Sequence, residues 1–185
     1  MKKLSTLSLL LLSFFCKAQE RKSIAFSYGT GGGYFGTLQK SGYRSNEGTY
    51  LGIIGFNYSL ETGKNFFFES GVQYIKYNYI RTFSDPSMLP ANRSLNMISV
   101  PFKFRFEAGN YIFFNGGLMA DVEVGKDSNL RGIGAGLGVG LQVKVAKKIS
   151  IFVNPQTNIH NLISFVSSQK LAEVNVAFGL AYQIK

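Results

Sequence analysis

Cysteine is almost absent: Cys16 is the only one, and it lies within the first eighteen residues. Beyond that segment no disulfide can staple the fold. After residue 19 there is no apolar run of about twenty residues, which excludes a membrane-spanning helix. No segment there keeps an apolar period of 3.6, so amphipathic helices are excluded as well. Charge is sparse, at 16% of residues, against 45% hydrophobic residues and a mean hydropathy of +0.06. A chain of that composition packs rather than staying disordered. Acidic residues number 10 against 20 Lys and Arg. The cations are scattered, with no basic helix, so nucleic acid is not a partner. Attraction to anionic lipid or polysaccharide suits the excess better. His160 is the only histidine. No metal-ligating cluster is present, and the glycines at 29–36 lack the Lys-Ser/Thr ending and following helix of a phosphate loop.

The first eighteen residues, MKKLSTLSLLLLSFFCKA, read as a secretory signal peptide. Lys2 and Lys3 open it, Leu7 to Phe15 form its apolar core, and Cys16 and Ala18 stand at −3 and −1 of a cut before Gln19. A lipidated Cys16 is disfavoured, because Ser13-Phe14-Phe15 lacks the small residue needed beside it. Removing Lys2, Lys3 and Lys17 lowers the formal charge from +10 to +7. Residues 19–185 are then one domain.

The signal in that domain has period two. From Ser94 to Glu107, Ile98, Val100, Phe102, Phe104 and Phe106 share one face, and Met97, Ser99, Pro101, Lys103, Arg105 and Glu107 the other. Eight such strands are expected near 23–36, 49–60, 66–80, 95–107, 111–124, 132–145, 149–158 and 171–184. The connections alternate between long, polar stretches and tight turns (ETGKN, EAGN and AKK). That rhythm fits an antiparallel up-and-down barrel, eight-stranded and transmembrane, with tight turns on the periplasmic side and long loops outside. A soluble sandwich or barrel also alternates, with its apolar face inward, and then carries many charges on the other face. Here the second face holds Gly, Ser, Ala, Asn and Gln with few charges, which suits a crowded barrel interior. Tyr50, Phe66, Phe67, Tyr111 and Tyr182 fall near strand ends, where aromatic rings meet the membrane interface.

One strand is unusual. Gly132, Gly134, Gly136, Gly138 and Gly140 alternate with Ile133, Ala135, Leu137, Val139 and Leu141. Glycine weakens a strand, so five on one face point to a lumen wall stripped of side chains. A simple hairpin around 125–130 sets Met119 opposite Gly134, Phe113 opposite Gly140 and Asp121 opposite Gly132. The bare wall would make room for those neighbours.

The segment NMISVPFKFRFEAGNYIFFNGGLMADVEVG resembles the small outer-membrane β-barrel domain of Bacteroidota, the PorT-like group. The residues that carry the resemblance are Ile98, Pro101, Gly109, Tyr111, Gly116 and Gly117, then Pro155-Gln156 and the last strand from Gly179 to Tyr182. It covers essentially all of residues 19–185 and marks fold and location more than activity. It implies insertion by the barrel-assembly machinery and a part in secretion or envelope assembly. Assembly signals usually finish on an aromatic residue. This chain finishes on Ile184-Lys185, so recognition would rest on Tyr182.

The inward charges Lys103, Arg105, Glu107, Asp121 and Glu123 are expected to pair as a network that plugs the lumen, with Lys144 and Glu173 as further members, because isolated buried charges are costly. The outer loops carry Lys40, Tyr43, Arg44, Arg81, Phe83, Met88, Leu89 and Arg93 as contacts for a polysaccharide or protein partner. Some eight-stranded outer-membrane barrels modify lipid A with a His and a Ser two positions on. Here that position is Leu162, so His160 reads as an ordinary loop residue rather than a base. The expected protein is a monomeric barrel without enzyme activity, cofactor or wide pore, surrounded by outer-membrane lipid. The alternatives are a soluble periplasmic lipocalin-like barrel binding an apolar ligand and, more distantly, a lipid A-modifying enzyme.

Overall fold

The computed structural model of the chain describes residues 21–37, 46–81, 89–125, 130–166 and 169–184, with Thr37, Asn46, Glu47 and Arg81 described in backbone only. The expected signal peptide lies outside these residues. The strands are β1 Lys22–Thr37, β2 Asn46–Gly63, β3 Phe66–Arg81, β4 Ala91–Ala108, β5 Ile112–Glu123, β6 Arg131–Ala146, β7 Ile149–Ser164 and β8 Gln169–Gln183. Each pairs antiparallel with the next, and β8 closes on β1. Closure leaves no free edge.

Following paired residues once round the wall leads from Lys22 through Leu60, Phe68, Phe104, Gly116, Leu137, Thr157 and Val174 to Gly32. The path returns to β1 ten residues further along (Lys22 to Gly32). With eight strands, that stagger fixes a tilt of about 40°. A 16-residue strand such as β1 then rises about 40 Å along the barrel axis. That exceeds the roughly 25 Å apolar band of a membrane barrel.

The tight turns sit where the sequence puts them, with Asn65 (φ 66°) and Gly109 (φ 77°) in left-handed backbone. Three strands run past their expected ends. β2 starts at Asn46, β4 starts at Ala91, and β7 continues to Ser164. The last connection, expected to be long, therefore shrinks to the four residues 165–168.

The Ile/Val/Leu/Phe face points out. Phe26, Ile54, Phe56, Val72, Phe102, Phe104, Phe114, Leu118, Leu137, Val153, Val174 and Phe178 are all exposed. A lipocalin-like barrel needs this face inward, so the structure overturns that alternative. Tyr50, Phe66, Tyr111 and Tyr182 are exposed as an interface belt requires, but Phe67 is buried in the lumen. Phe67 is odd-numbered on β3, in phase with inward Glu69 and Gln73, and its ring carries Arg21, whose Cζ lies 5.2 Å from the centroid.

Candidate functional site: the lumen and the long-loop end

Inward side chains fill the barrel in layers. At the turn end, Arg105 on β4 donates to Glu69 on β3 (3.4 Å), to Glu107 two residues on (3.3 Å) and to Gln142 on β6. Its guanidinium also lies 3.7 Å from the Phe113 ring centroid. Gln142 Nε2 donates back to Glu107 at 2.8 Å. Arg21 donates through Nε and Nη2 to the two oxygens of Glu61, at 3.0 and 2.8 Å. The expected pairing of Arg105 with Glu107 is present. Glu61, Glu69 and Gln142 are additional members, each legible from the inward phase of its strand.

The next layer is made of amides around Lys103. Lys103 is 5% exposed, and its ammonium donates to Gln156 Oε1 at 3.2 Å. Gln156 passes a hydrogen bond to Asn175, and Asn175 passes one to Glu173. Lys103 makes no ion pair among the described residues; it connects through the amides of Gln156 and Asn175 to Glu173 instead of joining the Arg105 network. Voids of about 70 and 50 Å³ remain in this half of the barrel, room for a few waters.

Above it, His160 is completely buried, which corrects the loop assignment. Its Nδ1 lies 3.0 Å from Asp121 Oδ1, and its Nε2 lies 3.4 Å from Glu173 Oε1. Asn158 Nδ2 donates to the same Glu173 oxygen at 2.7 Å. The cause is a bulge. β6 pairs Ile133 with Ile163 but Ala135 with Ile159, so β7 carries two extra residues there. Asn161 takes φ 58°, a conformation Asn tolerates better than most residues. Its N–H donates to Asp121 Oδ2 at 3.2 Å, and its side chain donates to Gln169 O and Ser164 Oγ. The bulge turns two successive residues, His160 and Asn161, into the lumen. A histidine sealed there cannot reach a lipid, which removes the basis for the lipid A-modifying alternative.

The long-loop end is closed by an apolar cluster, which the sequence reading did not anticipate. Phe35, Leu51, Ile53, Ile75, Tyr77, Leu95, Met97, Leu130 and Leu171 pack together inside the wall. Tyr77, fully buried, donates its hydroxyl to Gly33 O at 2.6 Å and stacks on Tyr79. Glu123 stands at this end and accepts from the Leu130 N–H at 3.0 Å, away from Arg105 and Lys103. Lys144 is exposed at the turn end and joins no ion pair among the described residues.

The glycine wall holds the expected register: Asp121 faces Gly132, Met119 faces Gly134 and Phe113 faces Gly140. A Cβ at Gly132 would meet Asn161 Oδ1, one at Gly134 Asp121 Oδ2, one at Gly136 Asn158 Oδ1, and one at Gly138 Asn115 Oδ1. Only Gly140 meets an aromatic ring, that of Phe113. So the bare wall accommodates polar oxygens from β5 and β7 more than bulk. Two of these oxygens, Asn115 Oδ1 and Asn158 Oδ1, have no other partner among the described residues. They lie against glycine backbone, where Cα–H groups are weak donors.

Of the expected loop contacts, Tyr43, Arg44 and Phe83 lie outside the described residues, as do Lys40 and Met88. Arg81 ends β3, and Arg93 lies in the extension of β4 instead of a loop, with its side chain exposed. Leu89 is 85% exposed.

No family model matches the chain, and no curated protein matches its sequence. Solved structures do. The outer membrane protein OprG from Pseudomonas aeruginosa superposes with a TM-score of 0.58 at 8% identity, over 89% of this chain and 95% of that one. Outer membrane protein AlkL gives 0.54 at 12% identity, over 90% and 91%. Neisserial surface protein A gives 0.50 at 12% identity, over 86% and 96%. At such identities the likeness speaks to fold. The chain has the eight-stranded antiparallel barrel of these outer-membrane proteins.

Proposed function

We propose that this chain is an integral outer-membrane β-barrel protein with a permanently closed lumen, acting in a structural or binding role through its long-loop end. The observation that carries this reading is the exposed apolar belt around a closed barrel whose interior is packed with paired polar groups. Water would not tolerate so continuous an apolar surface, whereas lipid requires it. The likeness to outer-membrane barrels supports the same location. A lumen filled with paired side chains would not work as a porin, and a histidine sealed inside it could not serve as the base for lipid hydrolysis.

The resemblance to the PorT-like group of Bacteroidota adds a part in secretion or envelope assembly. The barrel-assembly machinery would insert the chain, and outer-membrane lipid would surround it. A polysaccharide or protein would be met at the loops bearing Tyr43, Arg44, Arg81, Phe83 and Arg93. A closed barrel needs no second copy to cover an edge, so it works as a monomer. The test is to refold residues 19–185 in detergent and run them on a gel with and without boiling. A faster unboiled band, β-type circular dichroism that needs detergent, and no conductance steps in a planar bilayer are expected. Folding in plain buffer with no heat shift would sink the membrane reading, and steady conductance would sink the closed lumen.

A further inference from the structure

Charge is largely sorted by sign across the barrel wall. Among the residues whose side chains are described, the carboxylates Glu61, Glu69, Glu107, Asp121, Glu123 and Glu173 all lie on the inward phase of their strands. Apart from Glu47, whose backbone pairs with outward Ile80 and Tyr34, the outward charges in the strands are Lys22, Lys76, Arg131 and Lys170. None of these four makes an ion pair among the described residues. At the long-loop end, the β7 bulge that turns His160 and Asn161 inward turns the next two residues, Leu162 and Ile163, outward together. They are 43% and 58% exposed, and Phe165 and Val166 just beyond are 68% and 61% exposed. Elsewhere round the wall the surface at this height is mixed: Lys76, Asn78 and Asn96 face outward on β3 and β4, whereas Tyr34 on β1 and Val122 and Val124 at the end of β5 are exposed rings and aliphatic groups. Above β7 the apolar surface continues through four exposed residues, Leu162, Ile163, Phe165 and Val166.

Arg131 on β6 and Lys170 on β8 stand on either side of that extension. The Arg131 carbonyl accepts the Phe165 N–H, and Asn161 anchors to the carbonyl of Gln169, next to Lys170. The two cations are separated by β7 alone, two strand spacings or about 10 Å. Two cations at this spacing match a headgroup that carries a phosphate at each end. Acyl chains would lie below, along Ile159, Leu137 and Val174, all exposed.

We propose that the bulged end of β7, between Arg131 and Lys170, seats a lipid whose headgroup carries two phosphates, its chains running down the β6–β8 wall. This rests on the membrane reading above and assigns the lipid partner of one face. Two cations at a membrane surface, each contributing on the scale expected for a basic residue near anionic lipid, correspond to about thirty-fold in affinity. The test is native mass spectrometry of the refolded barrel in detergent, incubated with diphosphorylated lipid A, its dephosphorylated form or phosphatidylcholine. Diphosphorylated lipid should be retained selectively. Retention should fall about thirty-fold in R131Q/K170Q and stay unchanged in K147Q/K148Q, whose substitutions lie in a turn at the opposite end. Equal retention of all three lipids, or loss in the turn variant as large as in R131Q/K170Q, would overturn the seat. Both variants are first checked for the heat-shifted band: a wild-type chain that lacks it refutes the membrane reading, and the seat falls with it. Should R131Q/K170Q alone fail to fold, R131K/K170R keeps both charges and must retain the lipid.

Discussion

Asp121→Asn is the sharpest perturbation of the lumen because it changes almost no volume. The Asp121 side chain is fully buried and accepts twice, from His160 Nδ1 at 3.0 Å and from the Asn161 N–H at 3.2 Å. An asparagine has one carbonyl oxygen and one NH2 group. Whichever way it is turned, one of those two donors faces another donor. The substitution loses a charged hydrogen bond, on the order of 1.5–3 kcal/mol, and strands a buried donor for a further 1–3 kcal/mol. The expected cost is about 3 kcal/mol, in the lower half of that combined range because the turn-end voids show that a water can enter the barrel. With a urea dependence of about 2 kcal/mol per molar, the unfolding midpoint should fall by about 1.5 M. The chain has no tryptophan, so the fraction of heat-shifted band across a urea series is the better readout. His160→Gln and the double variant complete a cycle, and the pair should be non-additive by about 1.5–3 kcal/mol. A midpoint within about 0.25 M of wild type, or strict additivity, would refute the claim that Asp121 holds the β7 bulge through His160 and Asn161.

Four further outcomes are expected. Leu137→Arg lies mid-band on the outward face, 73% exposed; it should cost about 2–4 kcal/mol in lipid vesicles, and a neutral effect would count against lipid contact there. Gly134→Leu would drive a Cβ to 2.6 Å from Asp121 Oδ2 and 2.7 Å from Ile159 O, costing about 1–3 kcal/mol or more, whereas outward Gly32→Ala has nothing within 4 Å of its Cβ and should be neutral within about 0.5 kcal/mol; equal midpoints for the two would contradict the packed glycine wall. Arg105→Met leaves Glu69, Glu107 and Gln142 facing one another without their shared donor, for about 3–5 kcal/mol in the same urea series; a loss below about 1 kcal/mol would mean that water replaces it. Tyr77→Phe removes the hydrogen bond to Gly33 O and should cost about 0.5–1.5 kcal/mol, with no change in Tm marking the hydroxyl as idle.

What the sequence made legible was the part in lipid contact. From Ile98 to Phe106 the outward side is uniformly apolar and the inward side is not, so the strand and its phase can be read off; the same contrast on β5 and β6 gives the register of their hairpin, down to Met119 against Gly134. Above the belt that contrast disappears. Ser94 and Asn96 face outward on β4 and Asn78 on β3, so the tops of β2 and β4 read as loop, although the backbone pairing continues. The apolar cluster was hidden for the converse reason. Leu51, Ile53, Ile75 and Tyr77 share strands with outward apolar residues, and a run apolar on both faces carries no phase. His160 was misplaced because a bulge resets the period: after Ile159, two residues point in and two point out, a pattern that resembles loop when alternation is the only guide.

The bulge links the inside of the barrel to its outside. Relaxing it to a regular ladder would shift one of His160 and Asn161 to the lipid face. A buried polar group would then enter hydrocarbon, and Asp121 would lose one of its two donors. The same shift would turn Leu162 or Ile163 inward, against Gly132, where Asn161 Oδ1 now occupies the space that a Cβ would need. The inward lock and the outward apolar step are thus one conformational choice. Asp121→Asn therefore has a consequence beyond stability. If the bulge depends on Asp121, this variant should weaken retention of the diphosphorylated lipid even though Arg131 and Lys170 are untouched. Full retention in a folded D121N barrel would show that the outer face of β7 keeps its shape without the lock.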